Sequence, residues 1–188
     1  MQKKNRAVFI DRDGTLIHFV SVLSQVSQLH LLPGAGSAVR KLNRLGYLTI
    51  LITNQPSVAR GLFTEATLEN IHDVLRKRLK RVGARLDAIY VCPHHPDGSV
   101  ERYRRMCACR KPGIGMIMKA KREFNLDLSQ SFLIGDTTRD IQAGNRARLS
   151  MILVKTGEGG RDKYQFKGTP DFVARDLEKA VRIIGNRD

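Results

Sequence analysis

Two groups of residues in this sequence have types and spacings that can do chemistry. The first is a set of polar residues standing where apolar runs end. Ala7-Val8-Phe9-Ile10 gives way to Asp11-Arg12-Asp13-Gly14-Thr15, the run at 47–52 to Thr53-Asn54-Gln55, and the run at 131–135 to Asp136. Short apolar runs bounded by turn residues read as buried strands. In an open parallel sheet, ligands bind beyond the carboxyl ends of such strands, so positions far apart in sequence would meet on one rim. At Asp11 a helix cap, a metal site and a reaction centre are all conceivable. A cap accounts for one carboxylate and leaves the other polar rim positions unexplained, which favours a reactive cleft.

The second group is Cys92-Pro93-His94 followed, after twelve residues, by Cys107-Ala108-Cys109. Four thiol and imidazole ligands in a two-plus-two arrangement suit tetrahedral Zn²⁺, although the spacing is tighter than that of the usual zinc finger. The bland alternative is three reduced, buried thiols. It does not explain why every cysteine of the chain falls in one proline-containing loop beside a histidine. A site with four protein ligands is closed to water, so its expected role is structural. His95 is a weaker candidate for the same site.

Both groups need elements to carry them. Strands are expected at 7–10, 47–53, 88–92, 131–135, 151–154 and 171–174. Helical spacing appears at Val39, Leu42 and Leu45, with Gly46 as the stop. A second helix is capped by Thr64 and has Leu68, Ile71, Leu75, Leu79 and Val82 as its inner face. Further helices are expected with Ile114, Ile117, Met118 and Lys121 on one face, over 140–147, and around Leu177, Val181 and Ile184. Residues 20–33 have no period, and 93–112 form an irregular segment of the length that is usually functional. Strands alternating with helices imply an α/β fold, a Rossmann-like three-layer sandwich with a mostly parallel sheet. With no linker and no internal repeat, residues 1–188 are expected to form one domain, with the zinc loop at about 92–109 as an insertion.

Composition sets outer limits. The chain has 188 residues, 41% of them hydrophobic, enough for one α/β domain with a full core. No apolar run is long enough to span a membrane, and the N-terminus lacks the pattern of a secretion signal, so a cytoplasmic location is the expectation. An odd number of cysteines argues against a disulfide framework. Thirty-three Lys and Arg against 18 Asp and Glu give a net charge of +15, a field that draws phosphorylated or other anionic partners. The basic clusters at 76–81 and 102–105 contain one aromatic residue, Tyr103, so a base-stacking platform is not evident. Nucleic acid is therefore a weaker expectation than a small anion. A monomer is the default.

Taken together, DRDGT at 11–15, Thr53, Lys111 and Gly135-Asp136 resemble the four motifs of the haloacid dehalogenase superfamily of phosphohydrolases, and the match spans most of the chain. Within it, TNQ at 53–55, the cysteine loop and RKP at 110–112 resemble the heptose bisphosphate phosphatases, with histidinol-phosphate phosphatases as close relatives. The resemblance implies Mg²⁺ held by the carboxylates of Asp11 and Asp136 and the backbone carbonyl of Asp13. It implies Asp11 as nucleophile, forming an aspartyl-phosphate, and Asp13 as general acid and then base. Thr53 and Lys111 would stabilise the transferring phosphoryl group. Asn54, Gln55, Arg110 and Thr137 are the expected substrate-binding residues. Thr137 departs from the pattern, because relatives often carry a lysine there. Asp140 either orients Lys111 or caps the helix it opens. The implied reaction is removal of the C7 phosphate from D-glycero-D-manno-heptose 1,7-bisphosphate, a step towards activated heptose for cell-surface glycans such as lipopolysaccharide. Histidinol-phosphate hydrolysis and polynucleotide 3′-phosphatase activity are the enzymatic alternatives. A basic, non-catalytic nucleic-acid-binding module is the alternative from another class. The carboxylates speak against it, since pure phosphate binding gains nothing from them.

Overall fold

The apolar stretch Ala7–Ile10 has no polar face, as a strand covered on both sides requires. In the computed structural model, which describes residues 4–187, it forms the central strand β1. Residues 1–3 and 188, which the expected domain also includes, lie outside the described residues. The other strands are β2 (Leu48–Asn54), β3 (Ala88–Cys92), β4 (Phe132–Gly135), β5 (Ser150–Val154) and β6 (Phe172–Ala174). They make one sheet in the order β3-β2-β1-β4-β5-β6, and every neighbouring pair is parallel.

The helices are α1 (Ala35–Arg44), α2 (Pro56–Ala59), α3 (Glu65–Arg81), α4 (Gly115–Glu123), α5 (Thr138–Ala147) and α6 (Leu177–Gly185). The alternation of side chains along β1 sorts them into layers. Val8 and Ile10 pack with the buried faces of α1, α3 and α6, whereas Ala7 and Phe9 pack with those of α4 and α5. Each large apolar side chain buried in this way contributes about 1.5–3 kcal/mol relative to exposure. The three-layer α/β architecture read from the sequence is therefore present, with a purely parallel sheet among the described strands.

The inner faces of two helices differ from expectation. On α3, Leu68, Ile71, Leu75 and Leu79 are buried as expected, and Val82 is 42% exposed because the helix has already ended at Arg81. On α4 the buried residues are Met116, Ile117 and Ala120, while Lys121 points to water. The helix starts at Gly115, and a one-residue change of phase replaces the expected Met118 and Lys121 with Met116 and Ala120. None of the helices among the described residues is long and apolar enough to cross a membrane.

The strand order places the site. The chain runs outward from β1 to β3 and then returns to β4 on the other side of β1. A crevice opens beyond the carboxyl ends at such a switch point. Asp11 follows β1 and Asp136 follows β4, and these two strands flank the switch. The loops after β2 and β3 supply the rest of the rim.

Candidate active site

Four turns bring the rim residues together around a cleft of about 290 Å³. Asp11 leaves β1 with its own N–H still donating to Ile134 O at 2.9 Å, so the carboxylate is held beside β4. Its Oδ1 accepts from the Arg12 N–H at 2.7 Å and lies 2.8 Å from Lys111 Nζ. Asp136 accepts through Oδ1 from Thr15 Oγ1 at 3.2 Å and through Oδ2 from the Glu158 N–H at 2.8 Å. Two glycines let these loops close on it. Gly14 and Gly157 have φ of +76° and +59°. A Cβ on Gly14 would strike Asp136 Oδ2 and come within 2.9 Å of Gly157 Cα. Only glycine meets both the turn and the close approach.

Lys111 arrives on the segment between the cysteine loop and α4, and it is 3% exposed. Its ammonium pairs with Asp11 at 2.8 Å and Asp140 at 2.7 Å, and it donates to Ile52 O at 3.1 Å. Burial works against its charge, but the two carboxylates outweigh burial and raise its pKa. Asp140 does not open α5, whose N-cap is Thr137; it is the third helical residue and divides its two oxygens between the cap and the lysine. Oδ2 accepts from Thr137 N and Thr137 Oγ1 in the capping box of α5, and Oδ1 faces Lys111.

The electrostatics of this cluster are unbalanced. Oxygens of Asp11, Asp136 and Asp140 lie within 4.8 Å of one another, and Lys111 is the cation in contact with Asp11 and Asp140. Burial, and then the neighbouring Asp11 and Asp140 charges, push Asp136 up to about 8. Burial raises Asp11 to about 6 against the pull of Lys111. Crowded buried carboxylates with hard oxygen donors are the environment a divalent cation relieves. The residues present therefore fit Mg²⁺. Asp140 is the poorest of the three as a ligand, since its oxygens already serve Thr137 and Lys111.

Asp13 sits on the same turn. The Arg12 side chain grips its carboxylate through Nε to Oδ1 at 3.2 Å and Nη2 to both oxygens at 3.1 and 3.0 Å. Gln55 Nε2 donates to Asp13 Oδ2 at 2.8 Å and to Thr53 Oγ1 at 2.9 Å, tying the ends of β1 and β2 together. Asn54 faces elsewhere. Its amide donates to Lys111 O at 3.0 Å and its carbonyl oxygen accepts from the Lys111 N–H at 2.9 Å. It holds the lysine's backbone, although it still borders the cleft. Thr137 borders the cleft too, but its hydroxyl is engaged by Asp140. Arg110 lines the cleft and donates through Nη1 to His94 O at 3.3 Å.

The cysteine loop converges as its spacing foresaw. Cys92, His94, Cys107 and Cys109 present ligand atoms within 4.8 Å of one another. The sulfurs are 3.5, 3.0 and 3.2 Å apart in pairs, and His94 Nδ1 lies 3.3 Å from Cys109 Sγ. These distances exceed an S–S bond of about 2.05 Å, and all three cysteines are free. A tetrahedron of sulfurs about 2.3 Å from a metal has edges of about 3.8 Å, close to this arrangement. Hydrogen bonding from Cys92 lowers Cys109 to about 5, and the same contact together with burial raises Cys92. The cluster could hold a metal. His95 lies outside it, its Nδ1 accepting from the Asp97 N–H at 3.1 Å. Tyr103 is buried against Val58, Ala59 and Leu68, with Val91 and Val100 alongside, giving the loop a small apolar core of its own.

Sequence reasoning did not find the cleft's outer rim. Arg60, Arg139, Glu158, Lys163 and Tyr164 line it. Asp162 fastens the 155–168 loop to the first turn of α5, accepting from Thr138 N at 2.6 Å and Thr138 Oγ1 at 2.9 Å. No periodicity marks that loop, and the signal that could have found it is the Gly157-Glu158-Gly159-Gly160 run directly after a strand.

A parallel three-layer sheet with carboxylates after two adjacent strands and a buried lysine beside them defines a hydrolase of the haloacid dehalogenase type. The HAD-hydrolase-like family model matches residues 108–180. A D-glycero-β-D-manno-heptose-1,7-bisphosphate 7-phosphatase from Yersinia pestis is 39% identical over 180 residues, 94% of this chain and 95% of that protein. The Escherichia coli K12 protein of the same name is 38% identical over 84% of this chain and 83% of its own length. The crystal structure of a D,D-heptose 1,7-bisphosphate phosphatase from B. bronchiseptica, complexed with magnesium and phosphate, superposes with a TM-score of 0.85 at 34% identity, covering 97% of this chain and 99% of that one. The chain belongs to the heptose bisphosphate phosphatase family of the haloacid dehalogenase superfamily. It is a phosphatase, which sets aside the non-catalytic nucleic-acid module.

Proposed function

We propose that this chain hydrolyses the C7 phosphate of D-glycero-D-manno-heptose 1,7-bisphosphate, the β anomer being the one in its relatives' names. The observation that carries the reading is the unbalanced carboxylate cluster facing a lysine at the switch point of the sheet. Asp11, Asp136 and the Asp13 backbone carbonyl would hold Mg²⁺. When bound, the metal neutralises charge on the phosphoryl oxygens. Asp11, fixed by Lys111 and the Arg12 N–H, attacks phosphorus, forming an O–P bond as the ester P–O bond breaks. Asp13 enters protonated, gives its proton to the leaving sugar oxygen and, then ionised and gripped by Arg12 and Gln55, takes one from the water that cleaves the aspartyl-phosphate. Lys111 and the Thr53 hydroxyl bear on the negative charge of the transferring group.

The rim supports a doubly phosphorylated substrate. Thr137 brings no charge, but Arg60, Arg110, Arg139 and Lys163 all border the cleft. They offer a second phosphate four cations within the +15 field of the chain. Cys92, His94, Cys107 and Cys109 would hold Zn²⁺, which would steady the loop whose His94 carbonyl accepts from Arg110. Monomeric, cytoplasmic action on a small diffusible substrate is part of the same reading. Size-exclusion chromatography with light scattering checks the oligomeric state.

The test compares kcat/KM for heptose 1,7-bisphosphate, histidinol phosphate and a 3′-phosphorylated oligonucleotide, each with Mg²⁺. The heptose should win by orders of magnitude, and a higher value for either rival would overturn the assignment. Asp11→Asn should abolish turnover while leaving the melting temperature close to that of the unaltered protein. Retained activity would remove Asp11 as nucleophile.

A further inference from the structure

Arg12 is the largest fully buried side chain among the described residues, 1% exposed, and it stands between the two aspartates of the DRDGT turn. A buried guanidinium needs a counter-charge and partners for its donors. Nε and Nη2 are taken by the Asp13 carboxylate. Nη1 points the other way, into α3, and meets Nε2 of His72 at 3.2 Å. His72 is fully buried on the inner face of that helix, next to Ile71. Arginine only donates, so His72 Nε2 must accept, which places the imidazole proton on Nδ1. That N–H has no hydrogen-bond partner among the described residues, Glu69 Oε2 standing 4.0 Å away. Burial, then the charges of Arg12 and Arg76, hold His72 down to about 3. It is therefore a neutral acceptor at any pH at which the enzyme works.

The consequence is a chain of contacts from helix to reaction centre. The imidazole fixes the rotation of the guanidinium, and the guanidinium fork fixes the plane of Asp13, with Gln55 closing from the opposite side. An apolar residue at 72 would bury α3 equally well but leave Nη1 without an acceptor. We propose that His72 is a positioning residue, setting the Asp13 carboxylate through Arg12. The inference rests on the reading of Asp13 as the group that protonates the leaving oxygen.

Leaving-group dependence tests it. An alkoxide leaving from a sugar phosphate needs the proton, whereas 4-nitrophenolate leaving from 4-nitrophenyl phosphate does not. The quantity read is the ratio of kcat/KM for heptose bisphosphate to that for 4-nitrophenyl phosphate. General acid catalysis is worth about 10²–10⁴, so displacing the acid should cost on the order of tenfold or more in this ratio. His72→Met, without a strong acceptor, should lower the ratio by that amount. His72→Gln, with an amide oxygen in place of Nε2, should restore most of it. His72→Leu is the second acceptor-free variant, used if His72→Met does not fold. A uniform loss on both substrates would make His72 a packing residue and overturn the proposal, as would an unchanged ratio. Asp13→Asn is the control and should depress the ratio more than His72→Met. If it does not, the reading of Asp13 fails and the inference with it. If Asp13→Asn depresses the ratio and the acceptor-free variants do not, the inference alone fails.

Discussion

Lys111→Met removes one ammonium and keeps the shape of the stem. The lysine lies 2.8 Å from Asp11 Oδ1 and 2.7 Å from Asp140 Oδ1. At an effective dielectric constant of about 20, each such contact is worth about 6 kcal/mol of attraction before desolvation is charged against it. Measured losses on removing one partner of a buried pair are smaller, about 3–5 kcal/mol, because the ion no longer has to be desolvated. For a chain of this length that corresponds to a melting point lower by about 6–20 °C. Lys111 also holds Asp11 and Asp136 below where burial alone would put them. Its loss removes that support from both carboxylates. Adding the missing charge on the transferring phosphoryl group, turnover should fall by about 10²–10³. The assay is phosphate release at saturating Mg²⁺, with a thermal melt on the same sample. Lys111→Arg should fall between the two, because a planar fork cannot reproduce three contacts made from one nitrogen. If Lys111→Met keeps more than about a tenth of the turnover, the electrostatic reasoning is refuted.

Three further outcomes follow from the geometry. Without metal, Asp11 and Asp136 have folded-state pKa values raised to about 6 and about 8 from a usual 3.8. The folded state then binds more protons than the unfolded one, so this stabilisation is complete below the usual carboxylate range and is lost as pH rises through 6 to 8. With EDTA the melting temperature should fall between pH 5 and pH 8.5, and Mg²⁺ should flatten the fall; a rise over that window would contradict the shifts. Gly14→Ala places a Cβ against Asp136 in a left-handed turn, so turnover should drop by at least about 10²-fold through displaced carboxylates. An activity within threefold of the parent would show that the two loops yield freely. Removing the metal of the cysteine cluster, checked by elemental analysis, should loosen Arg110 and raise KM about tenfold, roughly 1.4 kcal/mol of binding, with Mg²⁺ present. Unchanged kinetics in a verified zinc-free sample would separate the loop from substrate capture.

The parts of this structure that follow from local pattern were legible in the sequence. Residues 7–10 have no polar face, and no arrangement other than a doubly covered strand suits them. Asp11, Thr53 and Asp136 were placed on one rim by strand direction alone. The cysteine cluster was legible because ligand type and spacing carry the geometry. What escaped depended on contacts between distant segments. His72 reads as one polar residue at an apolar position of α3 until Arg12, sixty residues earlier, is seen pointing at it. Asn54 reads as a ligand for sugar hydroxyls, yet its amide is matched to the backbone of Lys111 across fifty-seven residues. Apolar residues at 114, 117 and 118 fit two phases of α4, and only packing on β3 selects one. The 155–168 loop has no period at all and is shaped by Asp162 gripping Thr138.

A metal in the cysteine cluster would have a use that the catalytic chemistry alone does not supply. Asp11, Thr53 and Asp136 stand on or directly after strands of the sheet, the most rigid places available. Lys111 does not. It comes from an irregular segment, the kind of structure that opens most readily in a native protein. It must nonetheless bring one nitrogen within 3.1 Å of three oxygens, one just after β1, one on β2 and one on α5. Asn54 pins its backbone from one side, and the cysteine cluster ends two residues before it. With Cys109 immobilised by a metal, the two peptide bonds between it and Lys111 would leave little slack for the lysine to wander. Arg110, between them, is aimed at the rim by the same constraint. A displacement of about 1 Å at such a group can cost 10²-fold in rate. A metal held by the cysteine cluster would therefore bear on catalysis indirectly, by giving the loop that carries Lys111 the rigidity that Asp11, Thr53 and Asp136 take from the sheet.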